Sequence, residues 1–287
     1  NEYLKSVVAK HSLADDSTQI TALRDARKKV EECLRAKYGD AARIRYGGSY
    51  KKGTMVSTSY DLDILCYFLR DEKVAGETLK EIYESVQATL AADYHVTPKR
   101  TALRISDKNG GDLRIDVVPG RFVDDDESDV YLHQNEGDKD YMKTNPDVHI
   151  QHVIDGVVRE AIKLTKIWRN RLAVTAKTFA LDLLVIKLLA DHKDDDLETQ
   201  FRTLLEAFRD DNESLSVDDP ANSNNDLSGL VDEMRASLLN AATNTLATAD
   251  ASGWADVFGA VEAKGNRAER IQSVSRGDVA RVQPWAF

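Results

Sequence analysis

The sequence predicts an α+β fold, a mixed β-sheet followed by a helical C-terminal lobe. Strand patterns and glycine-containing turns are concentrated between residues 42 and 122. Beyond about residue 150 the apolar residues recur with a helical period almost to the end. Since 42% of the 287 residues are hydrophobic, the chain can build a real core. We expect two units, residues 1–150 with the sheet and residues 151–287 with helices.

The N-terminal segment, residues 1–38, is predicted to form one long helix that braces both units. Its apolar positions recur at steps of three and four residues, and charged residues fill the opposite face. A turn at Tyr38-Gly39-Asp40 ends the helix. The apolar positions are Leu23, Ala26, Val30, Cys33 and Leu34.

The sheet is predicted from short apolar runs bounded by turn residues. An amphipathic helix over residues 76–92 separates the first strands from a hairpin whose turn is Asn109-Gly110-Gly111. Residues 124–147 are acidic, and we expect a solvated loop there. The predicted strands are 42–46, 61–68, 102–106 and 113–118.

The second half is predicted to be helical, with a loop at residues 216–225 where Pro220 and three asparagines occur. From Lys264 onward the chain carries arginines and reads as an irregular tail. The predicted helices are 150–171, 177–192, 197–209, 227–247 and 253–263, and the tail arginines are Arg267, Arg270, Arg276 and Arg281.

Composition excludes several classes of protein. The formal charge is 39 − 49 = −10, which argues against a chain that coats a nucleic-acid duplex. No apolar run is long enough to predict a membrane span. Cys33 and Cys66 suggest neither a disulfide framework nor a zinc site. The segment beginning at Asn1 lacks signal-peptide character, so we expect a trimmed or processed cytoplasmic protein.

Two acids predict the chemistry. Asp61 and Asp63 lie two residues apart in a predicted strand, so their side chains project to the same face. Adjacent carboxylates repel each other, and burial raises that cost. A hard divalent cation such as Mg²⁺, with Mn²⁺ as the alternative ion, would compensate them. Asp116 is a lone acid in a second apolar strand, and three converging carboxylates are enough to hold two metal ions.

Gly48-Ser49 follows the first predicted strand, where a helix would begin. A glycine lets backbone N–H groups approach an anion, and the serine hydroxyl adds a donor, so this turn could hold a triphosphate. It is not a Walker A loop, because Thr54 follows Gly53 where that motif needs lysine.

Gly-Ser, an Asp-x-Asp strand and a later third acid together resemble the polymerase-β-type nucleotidyltransferases. Within them, the chain is similar to the oligoadenylate-synthase and cGAS-like group, which includes the bacterial CD-NTases of anti-phage (CBASS) defence. The likeness spans roughly residues 40–245. The segments that extend it beyond the acids are Ile115–Gly120, Ile162–Trp168, Thr178–Leu184 and Asp219–Asn225.

The resemblance implies roles for individual residues. Asp61 and Asp63 would hold both metals, while Asp116 would hold the catalytic metal and help activate the acceptor hydroxyl. Gly48 and Ser49 would bind phosphate. The remaining roles fall in the helical unit: Lys166 at the β- and γ-phosphates with Lys177 as a second candidate, Thr178 at phosphate or ribose, and Phe179 stacked on a base.

The function implied is a Mg²⁺-dependent nucleotidyltransferase that joins NTPs, ATP among them, into a cyclic di- or trinucleotide messenger. A regulatory or effector partner from a defence operon is expected, and a membrane or a long nucleic acid is not. Two alternatives remain open: an enzyme that tails RNA or forms linear oligonucleotides, and a catalytically silent nucleotide-binding regulator. A protein- or drug-modifying nucleotidyltransferase fits the helical half less well.

Overall fold

The computed structural model describes residues 1–13, 18–58, 61–108, 110, 115–137 and 139–261. The predicted turn residues Asn109 and Gly111 and the arginine-bearing tail lie outside the described residues.

In the described residues, the strands between Arg43 and Thr144 form one mixed sheet. Its strand order is β1-β2-β5-β4-β3, and β6 and β7 continue from the far end of β5. β2 and β5 run parallel, whereas the other pairs are antiparallel. The strands in the described residues are β1 (Arg43–Tyr46), β2 (Leu62–Phe68), β3 (Tyr94–Pro98), β4 (Leu103–Asp107), β5 (Ile115–Phe122), β6 (Val130–His133) and β7 (Tyr141–Thr144).

Helices cover the sheet and build the second half. Within the described ranges every helix is too short or too polar for a bilayer crossing. The helices are α1 (Glu2–His11), α2 (Thr18–Tyr38), α3 (Gly48–Lys52), α4 (Leu79–Ala91), α5 (Pro146–Gly156), α6 (Arg159–Arg171), α7 (Thr178–Leu188), α8 (Leu197–Asp210), α9 (Ser228–Ser252) and α10 (Trp254–Phe258).

The predicted α+β class is confirmed, and so are the predicted strands, the helix before the hairpin and the antiparallel pairing of β4 with β5. A Thr78 capping box starts α4, in which the side chains of Thr78 and Glu81 bond each other's backbone. The loop predicted at residues 216–225 is also confirmed, since this segment contains turns and neither helix nor strand.

One long N-terminal helix was the wrong prediction, because α1 and α2 are separate and pack in different places. Leu4 and Val8 of α1 lie in the core of the helical lobe, against α6 and α8. Val30 and Leu34 of α2 lie in the core behind the sheet. The two helices therefore brace one lobe each.

The acidic stretch predicted as a loop contains a hairpin, β6 and β7, that extends β5. Val130 and Leu132 are buried in alternation against Phe122 and Tyr67, and this tertiary pairing outweighs the acidic composition of the segment. The predicted helix 150–171 is also interrupted, since Val157 adopts a left-handed φ of 60° between α5 and α6.

Candidate active site

Two of the predicted acids face each other across the parallel strands. Asp63 of β2 is directly in register with Asp116 of β5, so both side chains project from the same face of the sheet. Asp61 lies one residue before β2, two positions from Asp63. The structure thus brings the three predicted carboxylates, which we call the acid cluster, to one edge of the sheet.

Two cations hold the acid cluster. Arg104 of β4 lies opposite Asp116 in the antiparallel register and donates to both of its carboxylate oxygens, at 2.8 and 2.9 Å. The same guanidinium donates to Asp61. Lys99 Nζ lies 2.9 Å from Asp116 Oδ2. Asp61 and Asp116 therefore converge on one guanidinium.

The acid cluster is electrostatically uneven. Burial, together with the charges of Asp116 and Asp61, raises the pKa of Asp63 to about 6. Burial alone would also raise the pKa of Asp116, but hydrogen bonds from Arg104 and Lys99 outweigh it and hold that pKa below its ordinary value. Asp63 is thus the carboxylate whose negative charge is least compensated.

The Gly47-Gly48 turn packs directly against Asp63. Gly47 N donates to the Asp63 carbonyl oxygen at 3.0 Å, which ties the turn to β2. Gly48 has a left-handed φ of 58°, and a Cβ there would overlap the Asp63 carboxylate. Ser49 follows in the first turn of α3 and lines the same cleft as the acids. A glycine is therefore required at position 48 both by its backbone angle and by the space available.

Lys166, predicted to reach the triphosphate, is a buried residue of α6 with close partners. Its Nζ lies 3.1 Å from Asp182 Oδ2 of α7 and 3.0 Å from Thr54 Oγ1. It also donates to the Thr54 carbonyl oxygen at 3.4 Å. We call Lys166, Asp182 and Thr54 the lysine cluster, and it joins the segment after α3 to the helical lobe.

A cleft of about 260 Å³ connects the acid cluster with the lysine cluster. Thr178 and Phe179, at the start of α7, line it, and their predicted contacts with phosphate, ribose and base stay predictions. Its lining residues are Gly48, Ser49, Lys52, Asp61, Asp63, Asp116, Lys166, Arg169, Asn170, Thr178, Phe179 and Asp182.

Phe179 also borders a second, more apolar cavity of about 400 Å³. Its ring packs against His149 with centroids 4.9 Å apart. His149 Nε2 lies 2.7 Å from Asp219 Oδ1, and Asn225 donates to the other oxygen of Asp219 at 2.7 Å. Burial tends to raise the pKa of Asp219, but these hydrogen bonds outweigh it and lower that pKa. The Asp-Pro and Asn-rich loop thereby fixes the ring beside Phe179.

Lys177 is not brought to the acid cluster. It is exposed at the N-cap of α7 and lines a neighbouring cavity of about 550 Å³ together with Arg169 and Asn170. Its predicted role at the triphosphate stays a prediction.

The chemistry of the acid cluster suits a hard divalent cation, because its donors are carboxylate oxygens on one face of the sheet. Asp63, whose charge is least compensated, would gain most from such an ion. Within the described residues, however, no three His, Cys, Asp or Glu side chains already surround a single point. Arg104 and Lys99 orient Asp116 toward themselves, so these side chains would have to turn to receive a metal ion.

Four residues of the site, two that line the cleft and two that bond to the acids, were missed in the sequence. Arg104 and Lys99 become partners of the acids only through the β4–β5 register. Asp182 was detectable, since it is a lone acid in the apolar run of α7, the same signal that identified Asp116. Lys52 lies on the cleft side of α3, and its alternation with exposed Lys51 was not used.

Comparison with known proteins agrees with this geometry. Residues 27–118, which contain the Gly-Ser turn and all three acids, match the family model described as a nucleotidyltransferase domain. No curated protein matches the chain.

Three solved bacterial structures show the same fold at low sequence identity. E. coli MS115-1 CdnC in complex with HORMA-deltaN is 18% identical and has a TM-score of 0.60, over 84% of this chain and 91% of that one. Elizabethkingia meningoseptica CdnE cyclic dinucleotide synthase with GTP and Apcpp is 14% identical, with a TM-score of 0.61 over 86% and 97%. Vibrio cholerae DncV cyclic AMP-GMP synthase, with the linear intermediate 5' pppA(3',5')pG, is 18% identical, with a TM-score of 0.61 over 79% and 69%.

The family match covers the segment that contains the Gly-Ser turn and the acid cluster, and the likeness of fold covers most of the chain. Residues 27–118 are thus similar to a nucleotidyltransferase domain, and the chain has the fold of the bacterial CdnC, CdnE and DncV structures.

Proposed function

We propose that this chain joins NTPs by nucleotidyl transfer and closes the product into a cyclic di- or trinucleotide. The observation that carries the proposal is the register of Asp63 with Asp116 on parallel strands, directly beside the Gly48 turn. Carboxylates that can hold metal ions beside a polyphosphate are what a metal-assisted phosphoryl transfer requires.

Asp61, Asp63 and Asp116 would hold divalent metal ions, Mg²⁺ in the first place. Such ions, when bound, neutralise polyphosphate charge and favour ionisation of a hydroxyl. Any rotation of Arg104 and Lys99 away from Asp116 would free its oxygens for that role.

The chain's own residues supply position. The backbone at Gly48 and the Ser49 hydroxyl would bind phosphate oxygens, and Phe179 would stack on a base at the border of the apolar cavity. Thr178 would contact phosphate or ribose. Holding the acceptor hydroxyl in line with the α-phosphorus accounts for much of the rate gain in such reactions.

In the proposed step, the ribose oxygen of one nucleotide forms a bond to the α-phosphorus of another. The bond from that phosphorus to the bridging oxygen of the β-phosphate breaks, the hydroxyl proton passes to solvent water, and pyrophosphate leaves. A second transfer within the linear intermediate would close the ring.

A regulatory partner and a role in anti-phage signalling are part of the proposal and rest on likeness alone. The E. coli CdnC structure contains HORMA-deltaN. A pull-down from the native cell should recover the partner that binds this chain.

The experiment is product analysis. The protein is incubated with four NTPs and Mg²⁺, treated with phosphatase and analysed by mass spectrometry. Small phosphatase-resistant products carrying two or three nucleotides support the proposal. Phosphatase-sensitive linear products, or extension of an added RNA primer, would replace it with the linear or tailing activity. Nucleotide binding without any turnover would instead favour a silent regulator.

A further inference from the structure

A groove of about 720 Å³ lies outside the catalytic cleft, against β7 and the Asn-rich loop before α9. We call it the outer groove, and the lining residues that carry the argument are Arg100, Tyr131, Lys139, Tyr141 and Asn222. Arg100, Met142 and Asn225 line both the outer groove and the apolar cavity that Phe179 borders. Because Phe179 also lines the acid-containing cleft, the three spaces are neighbours. A ligand that fills the cleft and the apolar cavity can therefore continue into the outer groove.

Hydrogen bonds fasten the walls of the outer groove. Asn222 Nδ2 donates to the Lys143 carbonyl oxygen of β7 at 2.9 Å, which ties the Asn-rich loop to the hairpin of β6 and β7. Asn225 Nδ2, in the same loop, donates at 2.7 Å to Asp219, which lines the apolar cavity. The position of the outer groove relative to the apolar cavity is therefore set by the protein itself, before any ligand binds.

Tyr131 and Tyr141 of the hairpin form an aromatic surface in the outer groove. Their rings pack edge to face, with centroids 5.5 Å apart and planes at 86°. Tyr141 is 54% exposed, and every other Phe, Trp or Tyr among the described residues is more buried. Proteins hold the bases of single-stranded nucleotides by stacking them on aromatic side chains, and this contact tolerates any base. An exposed tyrosine beside a cavity proposed to hold a nucleobase therefore suits a further base.

The charges of the outer groove suit a phosphodiester better than a triphosphate. Arg100 and Lys139 are cations without an ion-pair partner in the described residues, whereas Lys143 is held in an ion pair of 2.6 Å. Asp140 and Asp226 line the same groove. Two unpaired cations beside two acids cannot neutralise a triphosphate, but they can accommodate one phosphodiester, which carries a single negative charge.

We infer that the outer groove holds the third nucleotide of a linear trinucleotide intermediate, with its base against Tyr141. The first two nucleotides occupy the cleft and the apolar cavity, and the third extends past Arg100 and Asn225. This inference rests on the proposed function and decides between the ring sizes that it allows, because a third nucleotide site makes the product a cyclic trinucleotide. Each transfer follows the proposed step, so one pyrophosphate leaves for every nucleotide joined.

Product analysis tests the inference. The protein is incubated with four NTPs and Mg²⁺, and the cyclic di- and trinucleotides are quantified by mass spectrometry. The cyclic trinucleotide should be the main product of the wild type. Tyr141→Ser removes the stacking surface from an exposed position. The ratio of cyclic trinucleotide to cyclic dinucleotide should then fall about 10-fold or more, the effect of losing one stacked base.

Two further variants separate stacking from other effects. Tyr141→Phe keeps the ring and should hold the product ratio within about threefold of the wild type. Val74→Ser is the matched control, because Val74 is an apolar side chain of similar exposure, 49%, that lines none of the three spaces. It should leave the ratio unchanged. A loss in Tyr141→Phe as large as that in Tyr141→Ser would mean that stacking is not the contact, and the inference would be wrong.

Binding of linear adenylates gives a readout without turnover. The probes pApA and pApApA carry only a 5′-monophosphate, so neither can act as a donor. In at least one linkage, 2′-5′ or 3′-5′, the wild type should bind pApApA about 5- to 100-fold more tightly than pApA. Tyr141→Ser should remove most of that gain. A trimer that binds no more tightly than the dimer in either linkage would overturn the inference.

The outcomes separate the inference from the proposed function. If the wild type makes only a cyclic dinucleotide, or if Tyr141→Ser leaves the product ratio unchanged, the outer groove does not hold a third nucleotide and the proposed function stands. If the wild type joins no NTPs at all, the proposed function is wrong, and the inference fails with it.

Discussion

The acid cluster with its partners Arg104 and Lys99, and the lysine cluster, are both networks of ion pairs, but they differ in their access to water. Arg104 and Asp61 have 28% and 36% of their side-chain surface exposed, whereas Lys166 and Asp182 have 6% and 5%. Partly hydrated pairs contribute little to stability and exchange partners at low cost. Buried pairs are costly to break from one side. The comparison predicts that Arg104 exchanges its partner Asp61 more readily than Lys166 exchanges Asp182, which joins the lysine to α7.

The largest effect that this comparison predicts is on catalysis at the acid cluster. Asp63→Ala removes the carboxylate nearest Gly48, and pyrophosphate release from NTPs should fall by on the order of 10³-fold or more, because transition-state charge loses its compensation. The fold should survive, since the substitution also removes a repulsive charge. Asp125→Ala, an exposed acid in the segment before β6, is the control. Undiminished turnover in Asp63→Ala would remove the assignment of this site.

The next effect concerns stability and compares Lys166 of the lysine cluster with Lys99, which pairs with Asp116 of the acid cluster. Lys166→Met leaves Asp182 buried without its cation and should lower the free energy of unfolding by about 3–5 kcal/mol. Lys99→Met breaks a pair in which the lysine is 37% exposed and should cost about 1 kcal/mol or less. Urea titration of the two variants measures both. Equal losses would mean that burial does not distinguish the clusters.

A comparison of two glycines tests how closely the Gly48 turn packs against Asp63 of the acid cluster. Gly48 and Gly39 share a left-handed φ of 58°, but an added Cβ would overlap Asp63 at position 48 and meet nothing within 4 Å at position 39. Gly39→Ala should therefore cost only the backbone strain, about 1 kcal/mol. Gly48→Ala should cost more and also reduce nucleotidyl transfer by roughly 10- to 100-fold, since Asp63 must shift. Thermal unfolding and turnover of both variants give the comparison. If both variants lose the same stability and the same turnover, the contact between Gly48 and Asp63 does not contribute to activity.

The smallest effect is a pH dependence in the metal-free protein. The pKa of Asp63 is about 6 in the folded state, above its ordinary value of 3.8. Asp63 therefore binds a proton more tightly in the folded state than in the unfolded state. This contribution to the free energy of unfolding is complete below about pH 4 and is lost as the pH rises through 6. Relative to Asp63→Asn, the wild type should lose on the order of 1–3 kcal/mol between pH 4 and pH 7. Urea titrations with chelator at several pH values test this. A difference that stays constant, or that changes in the opposite direction, would contradict it.

The acids were predictable because each stands out against its own strand. Asp63 and Asp116 interrupt apolar runs that the structure buries, and the alternation of a strand places Asp61 and Asp63 together. The Gly48 turn was predictable from its position after β1. Each of these residues could be predicted from its immediate neighbours in the sequence, because those neighbours are the apolar residues that form the core.

What could not be predicted depends on pairing between distant segments. Arg104 faces Asp116 only through the register of β4 with β5, and Lys166 meets Thr54 across 112 residues of sequence. The hairpin of β6 and β7 was concealed by acidic neighbours, although Val130 and Leu132 alternate as strand residues do. The break between α1 and α2 follows from their packing on different lobes, which helical periodicity does not report.

The central claim is that the acid cluster supports metal-dependent nucleotidyl transfer, and one measurement tests it most directly. Pyrophosphate release from mixed NTPs is followed in chelator-treated protein while Mg²⁺ is added back. We predict no release before addition and a saturable rise with Mg²⁺ that Asp116→Ala abolishes. Release that proceeds without divalent ions, or that persists in Asp116→Ala, would contradict the account.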